Sequence, residues 1–311
     1  MQLGQHAPAS HVIAHVSDTH FGHGTAAVYS NTDPAAYLEA TMRRLAIVRP
    51  DAIVFTGDIA DHGEPEAYEA VASIVVDAAA EMGAELIWVM GNHDAREPFS
   101  RRLLGRDGDP EAPIDQVFDI NGLRVIALDT TIPGYHDGEL SATQLEWLRE
   151  ELASPAPHGT LLAMHHPPIA THLQLMTIIE LADQHLLADA IEDTDVRTIL
   201  AGHYHYSAHS TLGSVPVSVA ASTCYIIDPA ADPRGLRGYD GSQSFDLAHV
   251  FADRIVHSTV PVQPGRLVVD YPLEALEHVA AMTPADRREN FAKASVDIDS
   301  MVMVDGDTLE T

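Results

Sequence analysis

Six strand-length runs rich in Val, Ile and Leu punctuate the first two-thirds of the chain. They are "HVIAHVSD" (11–18), "DAIVFTGD" (51–58), "ELIWVMGN" (85–92), "LRVIALDT" (123–130), "GTLLAMHH" (159–166) and "VRTILAGH" (196–203). Runs this apolar belong to strands covered on both faces rather than to strands half open to water. Between them, 34–48, 65–82, 142–152 and 177–190 carry apolar residues at three- and four-residue intervals, the helical period. Strand and helix patterns alternating in this way predict a layered α/β body around a largely buried, mainly parallel sheet.

The texture changes after residue 203, where "VPVSVAAST", "SFDLAHVFAD" and "RIVHSTVPV" read as strands joined by short loops. From about Gly265 onward, Pro and acidic clusters surround one helical pattern near 273–281. The expected organisation is a catalytic domain over 1–264 and a C-terminal extension over 265–311, with no internal repeat.

The strand ends carry the chemistry. They close on Asp18-Thr19-His20, Gly57-Asp58, Gly91-Asn92-His93-Asp94, His165-His166 and Gly202-His203-Tyr204-His205, every one a source of metal-ligand side chains. In an α/β sheet the C-terminal strand ends gather along one edge, so residues distant in sequence meet there. In Asp18/His20 and His203/His205, the i and i+2 side chains of an extended segment point the same way. Glycine ahead of Asp58, Asn92 and His203 lets the chain turn tightly. Each motif alone has an ordinary reading: Gly-Asn is a turn dipeptide, Asp58 a helix cap, and His165-His166-Pro167-Pro168 a strand end that proline forbids from continuing. Together, two carboxylates, a carboxamide and four imidazoles exceed the needs of one closed zinc site. They suit two cations about 3.5–4 Å apart, bridged by a carboxylate and a hydroxide.

Charge narrows the partners. Against 46 acidic residues stand 17 basic ones, of which Lys293 is the only lysine, for a net −29. Such a surface repels nucleic acid and anionic lipid at long range, so a nuclease acting on long polymers is disfavoured. The single cysteine, Cys224, excludes an internal disulfide. With neither a signal-peptide pattern nor a membrane-length apolar run, a cytoplasmic location is expected.

The order DxH, GD, GNHD, HHPP and GHxH resembles the calcineurin-like metallophosphoesterase superfamily over about residues 10–262. "SDTHF", "DAIVFTGDIAD", "WVMGNHD", "HHPPI", "LAGHYHYS" and "VSVAASTCY" are similar to its mycobacterial class III cyclic nucleotide phosphodiesterases and their glycerophosphodiesterase relatives. The resemblance implies a four-layer α/β/β/α sandwich and a homodimer, the latter expectation supported by the apolar stretch "LQLMTIIEL". It implies that Asp18, His20 and His205 hold one metal, that Asn92, His165 and His203 hold the other, and that Asp58 bridges them. The metals implied are Mn, Fe, Zn or Co. His93 then stands beside the substrate phosphate, with Asp94 behind it orienting the ring, while His166 takes a supporting role. His136, in "PGYHDGE", either lines the pocket and binds substrate or is a solvated loop residue.

Two departures bear on the substrate. Purple-type phosphatases place a tyrosine ligand where this chain has Asp61, and the arginine pair of protein phosphatases is reduced to Arg96. A single arginine favours a phosphodiester, whose lone negative charge needs less compensation. The activity implied is hydrolysis of small phosphodiesters, cyclic AMP in its 3′,5′ or 2′,3′ form foremost, by a hydroxide bridging the metals. The alternatives are a glycerophosphodiester substrate and, in a different class, a metal-free protein-binding scaffold.

Overall fold

All five residues of Ala52–Thr56 are buried, as expected of a strand with packing on both faces. The computed structural model describes residues 3–22, 32–270 and 273–293. The chain divides into one unit over Pro8–Gln263 and a second made of Met1–Ala7 with Pro264–Thr311. In the larger unit the strands are β1 (His11–Val16), β2 (Ala52–Thr56), β3 (Glu85–Val89), β4 (Gln116–Ile120), β5 (Leu123–Ala127), β6 (Thr160–Ala163) and β7 (Val196–Ala201). These are followed by β8 (Ala208–Leu212), β9 (Val215–Val219), β10 (Ile226–Ile227), β11 (Gly238–Tyr239), β12 (Ser244–Val250) and β13 (Ile255–Pro261). Its helices are α1 (Pro34–Val48), α2 (Pro65–Met82), α3 (Arg96–Leu103), α4 (Ala142–Leu152) and α5 (Gln184–Ile191).

The apolar runs divide between two sheets. One has the order β13-β12-β1-β2-β3 and the other β4-β5-β6-β7-β9-β8. This corrects the one mainly parallel sheet read from the apolar pattern and agrees with the two-sheet sandwich that the resemblance implied. Strands β1, β2 and β3 pair in parallel, but β12 and β13 extend that sheet antiparallel. The second sheet starts at the tight β4–β5 hairpin, where Asn121 and Gly122 both take positive φ. That turn opens a new sheet instead of extending the first.

Three apolar cores separate four layers, giving the α/β/β/α sandwich. Leu38, Met42 and Leu45 of α1 and Val71 and Val75 of α2 pack on Phe55 and Trp88 of the first sheet. Leu145 and Leu148 of α4 and Leu187 of α5 cover Leu162 and Ile199 of the second. Between the sheets, Ile13, Val54 and Ile87 meet Val125, Leu161 and Leu200. The alternation along each strand sorts its residues, so β2 sends Phe55 to the helices and Val54 to the inter-sheet core.

Local signals set the helix boundaries. Pro34 opens α1 behind Asp33, whose side chain accepts from the Ala36 N–H, and Ser141 with Gln144 forms a reciprocal cap on α4. The helix expected over 177–190 is interrupted: Met176–Ile179 is one 3-10 turn, and α5 starts only at Gln184. The intervening residues instead pair with Gly138, which donates to the Glu180 carbonyl and accepts from Ala182. In the smaller unit, α6 (Leu273–Ala281) lies where the helical pattern placed it and α7 (Pro284–Asn290) is capped by Thr283. Among the described residues, no helix is long and apolar enough to cross a membrane.

Candidate metal centre

Asp18, His20, Asp58, His203 and His205 all occupy the left-handed backbone region, with φ of 54°, 44°, 50°, 69° and 56°. None is glycine, and each such residue costs about 1–2 kcal/mol unless its surroundings enforce it. The extended geometry expected for the pairs Asp18/His20 and His203/His205 is therefore not what brings them together. The chain twists sharply beyond β1, β2 and β7 and turns these side chains inward. Ser222 steadies the first twist by donating to the Asp18 carbonyl, and Thr223 N–H bonds the Ser17 carbonyl. That gives the "VSVAASTCY" segment its place beside the site.

Two glycines permit the close approach. A Cβ on Gly91 would collide with the backbone nitrogen and carboxylate of Asp58, and one on Gly202 with the Ser17 hydroxyl and, at 2.8 Å, the Asp18 carboxylate. Backbone therefore lies where any larger residue would displace the aspartates.

Each of four buried histidines uses one ring nitrogen to anchor itself. His20 Nδ1 donates to Asp61 Oδ1 at 3.0 Å and His165 Nδ1 to the Thr56 carbonyl at 2.7 Å. His203 Nε2 donates to the Ile179 carbonyl at 2.8 Å and His205 Nδ1 to the Tyr225 carbonyl at 3.0 Å. The remaining nitrogens converge: His20 Nε2 and His205 Nε2 are 3.0 Å apart, and His203 Nδ1 and His165 Nε2 are 3.2 Å apart. With the anchoring nitrogens protonated, these pairs present lone pairs to one another. Only a proton or a cation between them makes that stable. Carboxylates sit alongside, with Asp18 Oδ1 3.3 Å from His205 Nε2. One oxygen of Asp58, Oδ2, lies 3.5 Å from His20 Nε2 and 3.4 Å from His165 Nε2. The Asn92 carboxamide oxygen is 3.0 Å from His165 Nε2. Asp18, His20, Asp58 and His205 form a buried group able to hold a metal ion, and so do His165, His166 and His203.

The electrostatics follow from burial and crowding. Burial opposes ionisation of Asp58, but the charge and hydrogen bond of His165 outweigh it and hold the carboxyl well below its usual range. Asp18, equally buried, is brought to about 2 by His205 and His165. Burial, and then the neighbouring His166 and His165, push His203 well below the ordinary imidazole value. For His165 itself burial is outweighed by Asp58, and its pKa rises to about 9.

His93 and Asp94 separate in role. His93 Nδ1 donates to the Asp61 carbonyl at 2.7 Å, and its ring is 4.9 Å from that of His20. The contact expected from Asp94 is not made. Its carboxyl accepts the N–H groups of Ile59, Ala60 and Gly91 and the Tyr68 hydroxyl, tying the ends of β2 and β3 to α2. Enclosure, reinforced by the Asp58 charge, raises Asp94 to about 7. Asp94 positions the backbone around Asp58 rather than the His93 ring.

His136 reaches the site, with its ring 5.1 Å from His93 and its Nδ1 accepting from the Asn92 amide at 2.9 Å. His166 fixes the loop that carries it, bonding the Thr130 hydroxyl through Nδ1 and the His136 carbonyl through Nε2. Arg96 is spent elsewhere: buried at the start of α3, it pairs with Asp129 at 3.0 Å and donates to the Thr131 carbonyl. Sequence reasoning missed Asp61 as the partner of His20 and Tyr225 as the partner of His205. The three-residue spacing from Asp58 to Asp61 was a visible signal, whereas the Tyr225 contact, made by a backbone carbonyl, left none.

A sandwich of two sheets and two helical layers, with buried histidines and aspartates converging at the strand ends, is the architecture of a metallophosphoesterase. The chain belongs to the calcineurin-like phosphoesterase family, whose profile matches residues 11–207. It is 44% identical over 301 residues to a cAMP/cGMP dual specificity phosphodiesterase of Mycobacterium tuberculosis, covering 96% of this chain and 91% of that one. It is 46% identical over 280 residues to a Rhodococcus erythropolis protein described as a probable cyclic nucleotide phosphodiesterase, covering 89% and 92% of the two chains. Its fold is similar to that of a dimetal phosphatase from Danio rerio, with a TM-score of 0.60 over 83% of this chain and 98% of that one at 16% identity.

Proposed function

We propose that the protein is a dinuclear-metal phosphodiesterase of small phosphodiesters, with cyclic AMP as its foremost substrate. The observation that carries this reading is Asp58 Oδ2, placed between His20 and His165 with further donors on either side. Asp18, His20 and His205 would hold one metal, Asn92, His165 and His203 the other, and Asp58 both. The donor chemistry fits: all four imidazoles are fixed by an outward hydrogen bond that leaves one nitrogen facing the centre. When bound, the metals lower the pKa of a water they hold towards about 7 and neutralise charge on the phosphoryl oxygens.

The chain's own groups supply the rest. His93 keeps Nδ1 on the Asp61 carbonyl, so Nε2 is the nitrogen that carries a proton to the departing ester oxygen. In the metal-free chain burial works against a proton on His93, but the Asp58 charge outweighs it and raises the pKa. His136 takes the Asn92 amide on Nδ1, which leaves Nε2–H as a donor to substrate. With Arg96 committed to Asp129, no guanidinium of this loop meets the second charge of a monoester. The names of the two relatives support cyclic nucleotides over glycerophosphodiesters.

We assign the finer points similarly: Mn, Fe, Zn or Co as the metals, a homodimer supported by the exposed Leu175 and Ile178, a cytoplasmic location, and a domain boundary at 264/265. Hydrolysis of 3′,5′-cyclic AMP, 2′,3′-cyclic AMP, glycerophosphocholine and bis(p-nitrophenyl) phosphate, compared by kcat/KM after metal loading, tests the assignment. A preference for glycerophosphocholine overturns it, and activity without metal sinks the mechanism.

A further inference from the structure

Beside the polar centre the cleft changes character. A cavity of about 200 Å³ has polar lining that includes Asp58, His93, His136 and Tyr225, together with four apolar residues, Met176, Ile179, Ile227 and Leu236. These four come from two segments that are fixed to each other and to the centre. The 3-10 turn that supplies Met176 and Ile179 is tied to His203 through the Ile179 carbonyl. Gln174, just ahead of that turn, donates its N–H to the Pro233 carbonyl of the loop between β10 and β11, and this loop carries Leu236. Met176 and Ile227 are buried, whereas Leu236 is 45% exposed at the rim. None of the four bears a strong hydrogen-bonding group.

An apolar wall at this place has no use for the phosphate itself. We propose, building on the assignment of cyclic nucleotides as substrates, that it receives the purine base through apolar contact, with Leu236 as the outer member. A purine offers a flat face to such a wall, while adenine and guanine differ in the hydrogen-bonding groups at their edges. Discrimination of more than about a hundredfold requires buried polar groups that one base satisfies and the other leaves unpaired. The wall supplies affinity for a base without choosing between the two.

The test uses the full chain loaded with manganese. AMP and ribose 5-phosphate are compared as competitive inhibitors of bis(p-nitrophenyl) phosphate hydrolysis, alongside kcat/KM for cyclic AMP and cyclic GMP. The wild type should bind AMP at least about tenfold more tightly than ribose 5-phosphate, with the two cyclic nucleotides within about threefold of each other. Leu236→Ala should shrink the AMP advantage to about threefold or less, and Leu236→Met should restore it. Because Leu236 is half exposed, both variants should keep the wild-type near-ultraviolet circular dichroism. An unchanged AMP advantage in Leu236→Ala, or a preference of about tenfold or more between the purines, overturns the proposal. If cyclic nucleotides are not hydrolysed at all, the functional assignment falls, and the inhibitor ratio still decides whether the wall holds a base.

Discussion

Nδ1 of His93 donates to the backbone carbonyl of Asp61 at 2.7 Å, so only Nε2 of that ring faces the cleft. If that nitrogen protonates the leaving oxygen, its importance should scale with leaving-group basicity. His93→Ala should reduce kcat/KM for cyclic AMP, which expels an alkoxide, far more than for bis(p-nitrophenyl) phosphate. Each tenfold difference corresponds to about 1.4 kcal/mol of transition-state stabilisation. Metal content by elemental analysis should be unchanged, and equal losses on both substrates would contradict the proton-donor role.

The shared position of Asp58 predicts an asymmetry among ligand variants. Asp58→Ala should take metal content from about two ions per chain to nearly none and abolish turnover. Asn92→Ala removes one donor on one side and should leave the other ion in place. Retention of both ions by Asp58→Ala would refute the bridging assignment.

Gly91 is held against Asp58 so closely that a methyl group has no room. Gly91→Ala should destabilise the fold by about 1–3 kcal/mol in urea denaturation. Metal occupancy should fall with it, because the colliding atoms include the Asp58 carboxylate. Gly4→Ala, where nothing lies within 4 Å, is the control and should change neither. Normal stability and metal content in Gly91→Ala would contradict the packing described.

Away from the centre, burial and the neighbouring Asp129 charge raise Asp115 from 3.8 to about 6, against the Asp129 N–H and the Gln144 amide. Its Oδ1 accepts both of those groups, at 2.8 and 3.1 Å. A carboxyl whose folded pKa lies above its unfolded value contributes stability that is complete below pH 3.8 and lost as pH rises through about 6. Asp115→Asn keeps an acceptor for both hydrogen bonds and removes the titration. The variant should match the wild type near pH 4 and exceed it by up to about 2–3 kcal/mol at pH 7. A constant difference across that range in urea denaturation would rule out Asp115 as the titrating group.

Short, β-branched apolar runs such as "AIVF", bounded by turn residues, fit strands covered on both sides, and a side-chain period of two then sends Val54 and Phe55 to opposite cores. The helical spacing of 34–48 and 65–82 was as readable, because local periodicity and caps decide such elements. The strand-end motifs named the polar residues that meet at one edge, since topology alone gathers the C-terminal ends of parallel strands.

What sequence could not supply was direction and division of labour. The left-handed turns at Asp18, His20, Asp58, His203 and His205 come from the surrounding structure, since no local preference alone puts five such residues there. Periodicity alone did not divide the strands between two sheets, which only the resemblance implied, and the broken helix before Gln184 followed from pairing with Gly138, a long-range choice. Asp94, beside His93 in sequence, serves the backbone around Asp58, while Asp61, thirty-two residues away, holds the His93 ring through its carbonyl. The amino-acid sequence determined which chemical groups reach the edge of the sandwich, because residue type and strand polarity are local properties. Which nitrogen faces inward and which neighbour anchors it was decided only by tertiary packing, through hydrogen bonds to carbonyls that no side-chain pattern records.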